Sequence, residues 1–287
     1  MGFKKNSIIT INKTITPLRE IDRYKPDWDI IKSNIDKYYF QVSGISRVLP
    51  LLSSRGCPYN CGFCYNNYFN KSEWRGHSKE YIYEQIDVLK KIGKISGIRF
   101  FDDIPFCNLE QAEKVFTDID IPWGVGIRPN QITEEFVQWV KKTKCFYIFL
   151  GAESGSQSVL NKIDKKCSVD AVKRAVSLLK NSNIHVRAGF LIGFPGETKE
   201  DIDETFNLIQ QIDKGADNID FSITKYIPYP GTSLWQKTLE RGWEPPVTTQ
   251  EWGDLMKSGF NYNVTECDYS DINYIFEACN KIINIII

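Results

Sequence analysis

Cys57, Cys61 and Cys64 fall within eight residues, in the run Arg55-Gly56-Cys57-Pro58-Tyr59-Asn60-Cys61-Gly62-Phe63-Cys64-Tyr65. The spacing is C-x3-C-x2-C. Thiolates are soft ligands that suit zinc or iron–sulfur clusters. A [4Fe–4S] cluster ordinarily takes four cysteines, so three in one loop leave one iron open to a non-protein ligand. Gly56 and Gly62 allow the backbone to approach a bulky group closely. Pro58 stiffens the loop and removes a donor. Two blander readings compete: three thiols lying close without a metal, or structural zinc with His77 as fourth ligand. No second CxxC or HxxxH stands nearby. Cys107, Cys145, Cys167, Cys267 and Cys279 read as core or surface thiols. Cys107 is the one to watch, because it follows the second predicted strand.

Alternating elements must position this loop. Residues 1–46 read as an extended lead-in. Strands are predicted over Val48–Leu52, Gly97–Phe101, Trp123–Ile127, Phe146–Leu150, His185–Ile192 and Ile219–Tyr226. Helices between them are predicted over about 79–92, 109–117, 133–142, 168–180 and 198–212. Ser78, Thr133 and Ser168 stand as N-caps. Thr198 and Asp201 resemble a capping box with Asp in place of the usual Glu or Gln. Gly93 suits the end of the first helix. Strict βα alternation implies a parallel sheet with right-handed crossovers. Six units fit an open doubly wound sheet or a partial (β/α)6 TIM-like barrel; both place a site at the C-terminal strand edge. Residues 47–232 are the core and 233–287 a helical C-terminal extension.

Bulk numbers exclude little. The chain has 287 residues and a formal net charge of zero. There is thus no global charge to attract nucleic acid or a membrane surface. No signal peptide or long apolar span is visible, so a cytoplasmic location is expected. Without a secretory signal, eight cysteines point to metal or catalysis rather than disulfides.

The cysteine spacing, with aromatic Phe63 just before the last cysteine, resembles the radical S-adenosylmethionine (SAM) superfamily. Five further stretches carry the same resemblance: FFDDIPFCNLEQAEKVF (100–116), IPWGVGIRPNQI (121–132), YIFLGAESGSQSVL (147–160), VRAGFLIGFPGET (186–198) and YIPYPGTSLW (226–235). They resemble radical SAM proteins that usually carry an N-terminal cobalamin-binding domain. The likeness covers about residues 26–258 and implies the partial-barrel fold, with a helical C-terminal extension. Only 25 residues precede Pro26, and none forms the Asp-x-His-x-x-Gly pattern expected beneath cobalt. Cobalamin is therefore doubtful here: the chain lacks it, receives it from another polypeptide, or is a fragment.

The resemblance implies a [4Fe–4S] cluster on Cys57, Cys61 and Cys64. It also implies SAM on the open iron, cleaved to a 5′-deoxyadenosyl radical that acts on an unidentified small-molecule or peptide substrate, by methyl transfer or oxidoreduction. Phe63 belongs to the cofactor-binding set. Phe101, Asp102 and Asp103 fall where the family contacts the methionyl amino group. Glu153 and Ser154 fall at the ribose, and Arg187 at the SAM carboxylate or Glu153. Gly189, Leu191 and Gly193 lie against adenine, with Tyr226, Pro228 and Tyr229 beside it. Arg128 points to the same mouth and toward substrate. No catalytic side chain is assigned. An electron donor such as flavodoxin or ferredoxin is implied by the same resemblance. A methylthiotransferase is the first alternative, but no cysteine precedes Cys57 to bind a second cluster. A non-catalytic Fe–S scaffold or subunit is the second. A dinucleotide-binding enzyme fails because no GxGxxG follows the first strand.

Overall fold

The computed structural model describes residues 2–5, 8–11, 16–180, 182–213 and 217–258. Cys267, Cys279 and the apolar run Ile282–Ile287 lie outside the described residues, as does the C-terminal extension beyond 258.

A seven-stranded sheet organises the chain. Its strands are β1 (Phe40–Val42), β2 (Ile45–Leu51), β3 (Gly97–Phe100), β4 (Trp123–Ile127), β5 (Cys145–Glu153), β6 (His185–Ile192) and β7 (Ile219–Lys225). From β2 to β7 the strands are parallel and adjacent in chain order. That order decides between the two predicted architectures. A doubly wound sheet reverses direction at a switch point. Here it never reverses, so right-handed crossovers bring every helix to one face. The result is a partial (β/α)6 barrel, convex side under helices and concave side free of them.

β1 corrects the reading of residues 1–46 as a lead-in. It pairs antiparallel with β2 at the sheet edge. A separate antiparallel ribbon joins Gly2–Lys5 to Ile8–Ile11. An antiparallel edge strand leaves no alternating helix in the sequence, which is why the βα pattern hides it.

The α-helices of seven or more described residues are α1 (Lys79–Gly93), α2 (Leu109–Phe116), α3 (Glu134–Val140), α4 (Val169–Leu179), α5 (Lys199–Asp213), α6 (Ser233–Glu240) and α7 (Thr249–Ser258). Ser78, Thr133 and Ser168 cap α1, α3 and α4 through their hydroxyls. The Asp variant of the capping box forms at α5: Thr198 donates to Asp201, and the Asp201 amide donates back to the Thr198 hydroxyl at 3.2 Å. At the end of α1 the left-handed residue is Lys94, not Gly93. Gly93 is needed for closeness instead, since a Cβ there would sit 2.9 Å from Ile35.

One face of each strand is apolar. Ile98, Phe100, Trp123, Val125, Ile148, Leu150, Val186 and Ala188 are buried beneath Ile82, Leu89, Phe116, Phe136, Val172 and Leu179 of the helices. Each fully buried large side chain contributes about 1.5–3 kcal/mol. Strand alternation turns the other residues, Arg99, Gly124, Gly126, Tyr147, Phe149, Arg187 and Gly189, to the concave face. Among the described residues, no helix is long and apolar enough to cross a membrane.

Candidate active site at the open strand ends

The cysteine loop leaves β2 at the C-terminal strand edge. A short ribbon, Ser54–Arg55 against Arg75–Gly76, starts it. Gly56 adopts φ +83°, and a Cβ there would collide with the Glu73 carbonyl. Gly62 donates to the Ile163 carbonyl at 2.7 Å and accepts from the Leu234 amide at 3.0 Å. A Cβ on Gly62 would lie 2.8 Å from Ser233 Oγ. These glycines thus admit the neighbouring protein backbone and α6, rather than clearing space for a bound group. Gly56→Ala is expected to destabilise the chain by roughly 2 kcal/mol and to lower iron loading; thermal melts and iron analysis read both.

The Tyr59 amide favours the Cys57 thiolate and the Asn66 amide that of Cys64. Arg128 Nη1 stands 3.3 Å from Cys61 Sγ. Asn66 and Asn67 donate to the Cys57 and Cys61 carbonyls. Burial pushes the Cys57 thiol up, and Cys64 up to about 11. Without metal these thiols hold their protons, so loading iron must expel them. Soft sulfurs surrounded by donors fit a thiolate-bound cluster.

Zinc fits less well. Among the described residues, no three His, Cys, Asp or Glu groups are gathered as one ion requires. The thiolates of a tetrahedral zinc would stand about 4 Å apart, whereas a cubane spreads its thiolates over separate irons. His77 is engaged elsewhere: Nδ1 lies 2.7 Å from Asp22, and the ring stacks on Tyr81. Burial lowers its pKa against the pull of Asp22.

The expected SAM contacts divide. Asp103 faces the loop, accepting from the Gly56 amide at 3.1 Å and Tyr65 at 2.9 Å. Phe101 is exposed beside Phe40. Asp102 differs. Its two oxygens take four donors, the amides and hydroxyls of Ser53 and Ser54, so it ties the β2 end to the β3 end. Burial still pushes it up to about 6. Ser154 also departs from the ribose expectation. It is fully buried, with Oγ 3.2 Å from Thr205 and accepting from Ser156.

Glu153 ends β5 with φ +64° and pairs with Lys165 at 2.6 Å, not with Arg187. Arg187 instead grips Asp220 through Nε at 2.8 Å and Nη2 at 2.6 Å, and His185 adds a third contact. Burial raises the Asp220 carboxyl, but those partners overcome it and hold it at about 2. A depressed carboxyl pKa contributes stability above its unfolded value and loses it as pH falls. Melts between pH ~4 and ~2 are expected to show a loss of about 1–2 kcal/mol that Asp220→Asn lacks, screening at half-exposed Arg187 included.

The space over Gly189 is not left for a base. The Phe149 ring fills it, and a Cβ would collide with that ring. Leu191 and Phe63 pack on the cluster of Phe194, Leu160 and Tyr226. Tyr226 is buried there with its ring 5.2 Å from Phe194. It serves packing rather than an open pocket. Gly193, at φ +91°, donates to Glu197 and makes the turn after β6. Tyr229 is exposed. Arg128 does not reach outward to substrate: it is buried over the Tyr59 ring at 3.8 Å and donates to the Lys165 carbonyl. Lys165 was not foreseen from sequence. Its only signal is the Lys165-Lys166 pair after the Gln157–Lys162 helix, and lysines are common on surfaces.

Residues 51–209 match the radical SAM superfamily. The chain is 31% identical over 249 residues to an uncharacterized methyltransferase of Pyrococcus horikoshii, covering 83% of this chain and 51% of that protein. It is 29% identical over 253 residues to the anaerobic magnesium-protoporphyrin IX monomethyl ester cyclase of Cereibacter sphaeroides, covering 84% and 40%. Among solved structures, cobalamin-dependent OxsB with SAM bound superposes with a TM-score of 0.59 at 21% identity, over 82% of this chain and 34% of that one. The methyltransferase TsrM of Kitasatospora setae gives 0.57 at 19%, over 67% and 36%. The chain thus spans about half or less of the length of these curated relatives.

Proposed function

This chain belongs to the radical SAM superfamily, and we propose that it cleaves SAM reductively at a [4Fe–4S] cluster held by Cys57, Cys61 and Cys64. The observation that carries this reading is the cysteine loop itself: three sulfurs at the C-terminal edge of a partial barrel, one of them held by buried Arg128. The chemistry supplied by the bound cluster is one electron to the SAM sulfonium, which releases a 5′-deoxyadenosyl radical able to abstract hydrogen.

The chain's own residues bind and orient. Arg128 holds Cys61 and balances negative charge on sulfur. Asp103 offers an exposed carboxylate beside the loop, suited to the methionyl ammonium. Glu153, set by Lys165, offers its free lone pairs toward ribose hydroxyls. Phe63, Phe101, Leu191 and Gly193 border the mouth and limit water there. Asp102, Ser154, Gly189 and Tyr226 support this frame from beneath. Residues 47–232 form the catalytic core, with α6 bracing the loop. The names of the relatives support a methyl-transfer or oxidoreductive outcome. Cobalamin is not assigned to these residues. We place the enzyme in the cytoplasm, with a flavodoxin or ferredoxin as electron donor.

The test is anaerobic reconstitution with iron and sulfide, then dithionite and SAM, with 5′-deoxyadenosine measured by chromatography. The product is expected from the native chain. Full iron loading without cleavage would favour a scaffold or subunit.

A further inference from the structure

Arg99 sits mid-strand in β3 on the concave face, between the buried, helix-facing Ile98 and Phe100. It is 7% exposed. Its guanidinium spans the gap left by Gly124 and Gly126 of β4, which carry no side chains. The Cζ atom lies 4.5 Å from the centre of the Tyr147 ring on β5 and 5.4 Å from that of Phe101. A Cβ at Gly126 would be 3.9 Å from Arg99 Nη2.

What the guanidinium lacks is an acceptor. No described residue accepts a hydrogen bond from it or pairs with it, and Nη1 is sealed from solvent without a partner. The carboxylate that acts on it, Asp102, is spent on the amides and hydroxyls of Ser53 and Ser54. Burial draws the Arg99 pKa down to about 10, so it remains a cation at neutral pH. A buried cation without a counter-ion is costly, and aromatic faces offset only part of that. Proteins keep such groups where a ligand completes them.

The surroundings suit a flat or elongated ligand. Phe40, Phe101, Arg99, Tyr147 and His185 form a row of stacked or facing groups across the sheet. The row lies deeper along the strands than the cysteine loop.

We propose that Arg99 is the anchor for a carboxylate or phosphate group of the substrate, seated on the concave floor against Tyr147 and Phe101. This rests on the concave face being the reaction chamber. With Nη1 sealed, the oxyanion would meet the planar Nε–Nη2 edge, a two-pronged fork that both oxyanions match. The anchor would hold one end of the substrate while the reacting carbon faces the strand ends.

The test needs no cluster turnover, so its failure is separable from failure of SAM cleavage. Thermal melts of the full chain are recorded with inorganic phosphate or malonate against chloride at equal ionic strength. Either oxyanion is expected to raise the native melting temperature by several degrees; which one does so identifies the group. Arg99→Met is expected to melt no lower than the native chain in chloride and to lose the oxyanion response. Arg99→Lys keeps charge without the fork, and is expected to retain only a fraction of the response. It also serves if the methionine variant does not fold. An unchanged response in both variants, or no response in the native chain, would overturn the proposal.

Discussion

Alanine at Cys57, Cys61 or Cys64 is expected to lower bound iron and sulfide by roughly an order of magnitude and to abolish 5′-deoxyadenosine formation. Only three thiols share the loop. Cys107, though near enough to Cys57 to feel its charge, is a half-buried thiol pushed up to about 11. The loss should not be a folding loss. The loop is fixed by the Gly62 and Ser54–Arg55 backbone bonds and by Asn66 and Asn67, none of which uses sulfur. Melting temperatures of the apo variants should therefore stay near that of the native apo chain. Iron analysis, sulfide analysis and a melt check the three parts separately. A variant that loads iron fully would remove its cysteine from the ligand set.

Lys165→Met is expected to cost about 3 kcal/mol and to impair SAM cleavage even where iron still loads. The Lys165 and Glu153 side chains are 5% and 14% exposed and meet at 2.6 Å. Breaking one half of such a pair leaves an uncompensated charge, which costs far more than the pair itself is worth. Glu153 is also held at a left-handed backbone angle, so its position depends on what surrounds it. Removing both charges with Glu153→Gln and Lys165→Met should restore much of the stability but not the cleavage. Urea titrations of the single and double variants, beside product assays, separate these effects. Equal stability across the set would mean the pair is solvated after all.

Much of this was legible in the sequence because its causes are local. The N-caps at Ser78, Thr133 and Ser168 depend on a hydroxyl and an amide three residues on. The six parallel strands were legible as apolar runs ending in polar clusters. Their order was not, because nothing local distinguishes a sheet that reverses from one that does not. The site residues that turn to other partners share one feature: those partners are far away in sequence. Asp102 turns to Ser53 and Ser54 across the β2–β3 boundary. Ser154 turns to Thr205, and Phe149 occupies the room over Gly189. Arg99 was missed for a different reason. A four-residue strand buried on both faces gives no period from which to read its inward side.

We propose that three cysteines hold a cluster whose remaining iron accepts SAM. The most direct measurement is the electron paramagnetic resonance spectrum of the anaerobically reconstituted, dithionite-reduced chain, with and without SAM. A [4Fe–4S]+ signal that changes when SAM is added is expected, because SAM's amino and carboxylate groups would become ligands of one iron. A signal indifferent to SAM, or a chain that takes zinc and forms no cluster, would contradict it.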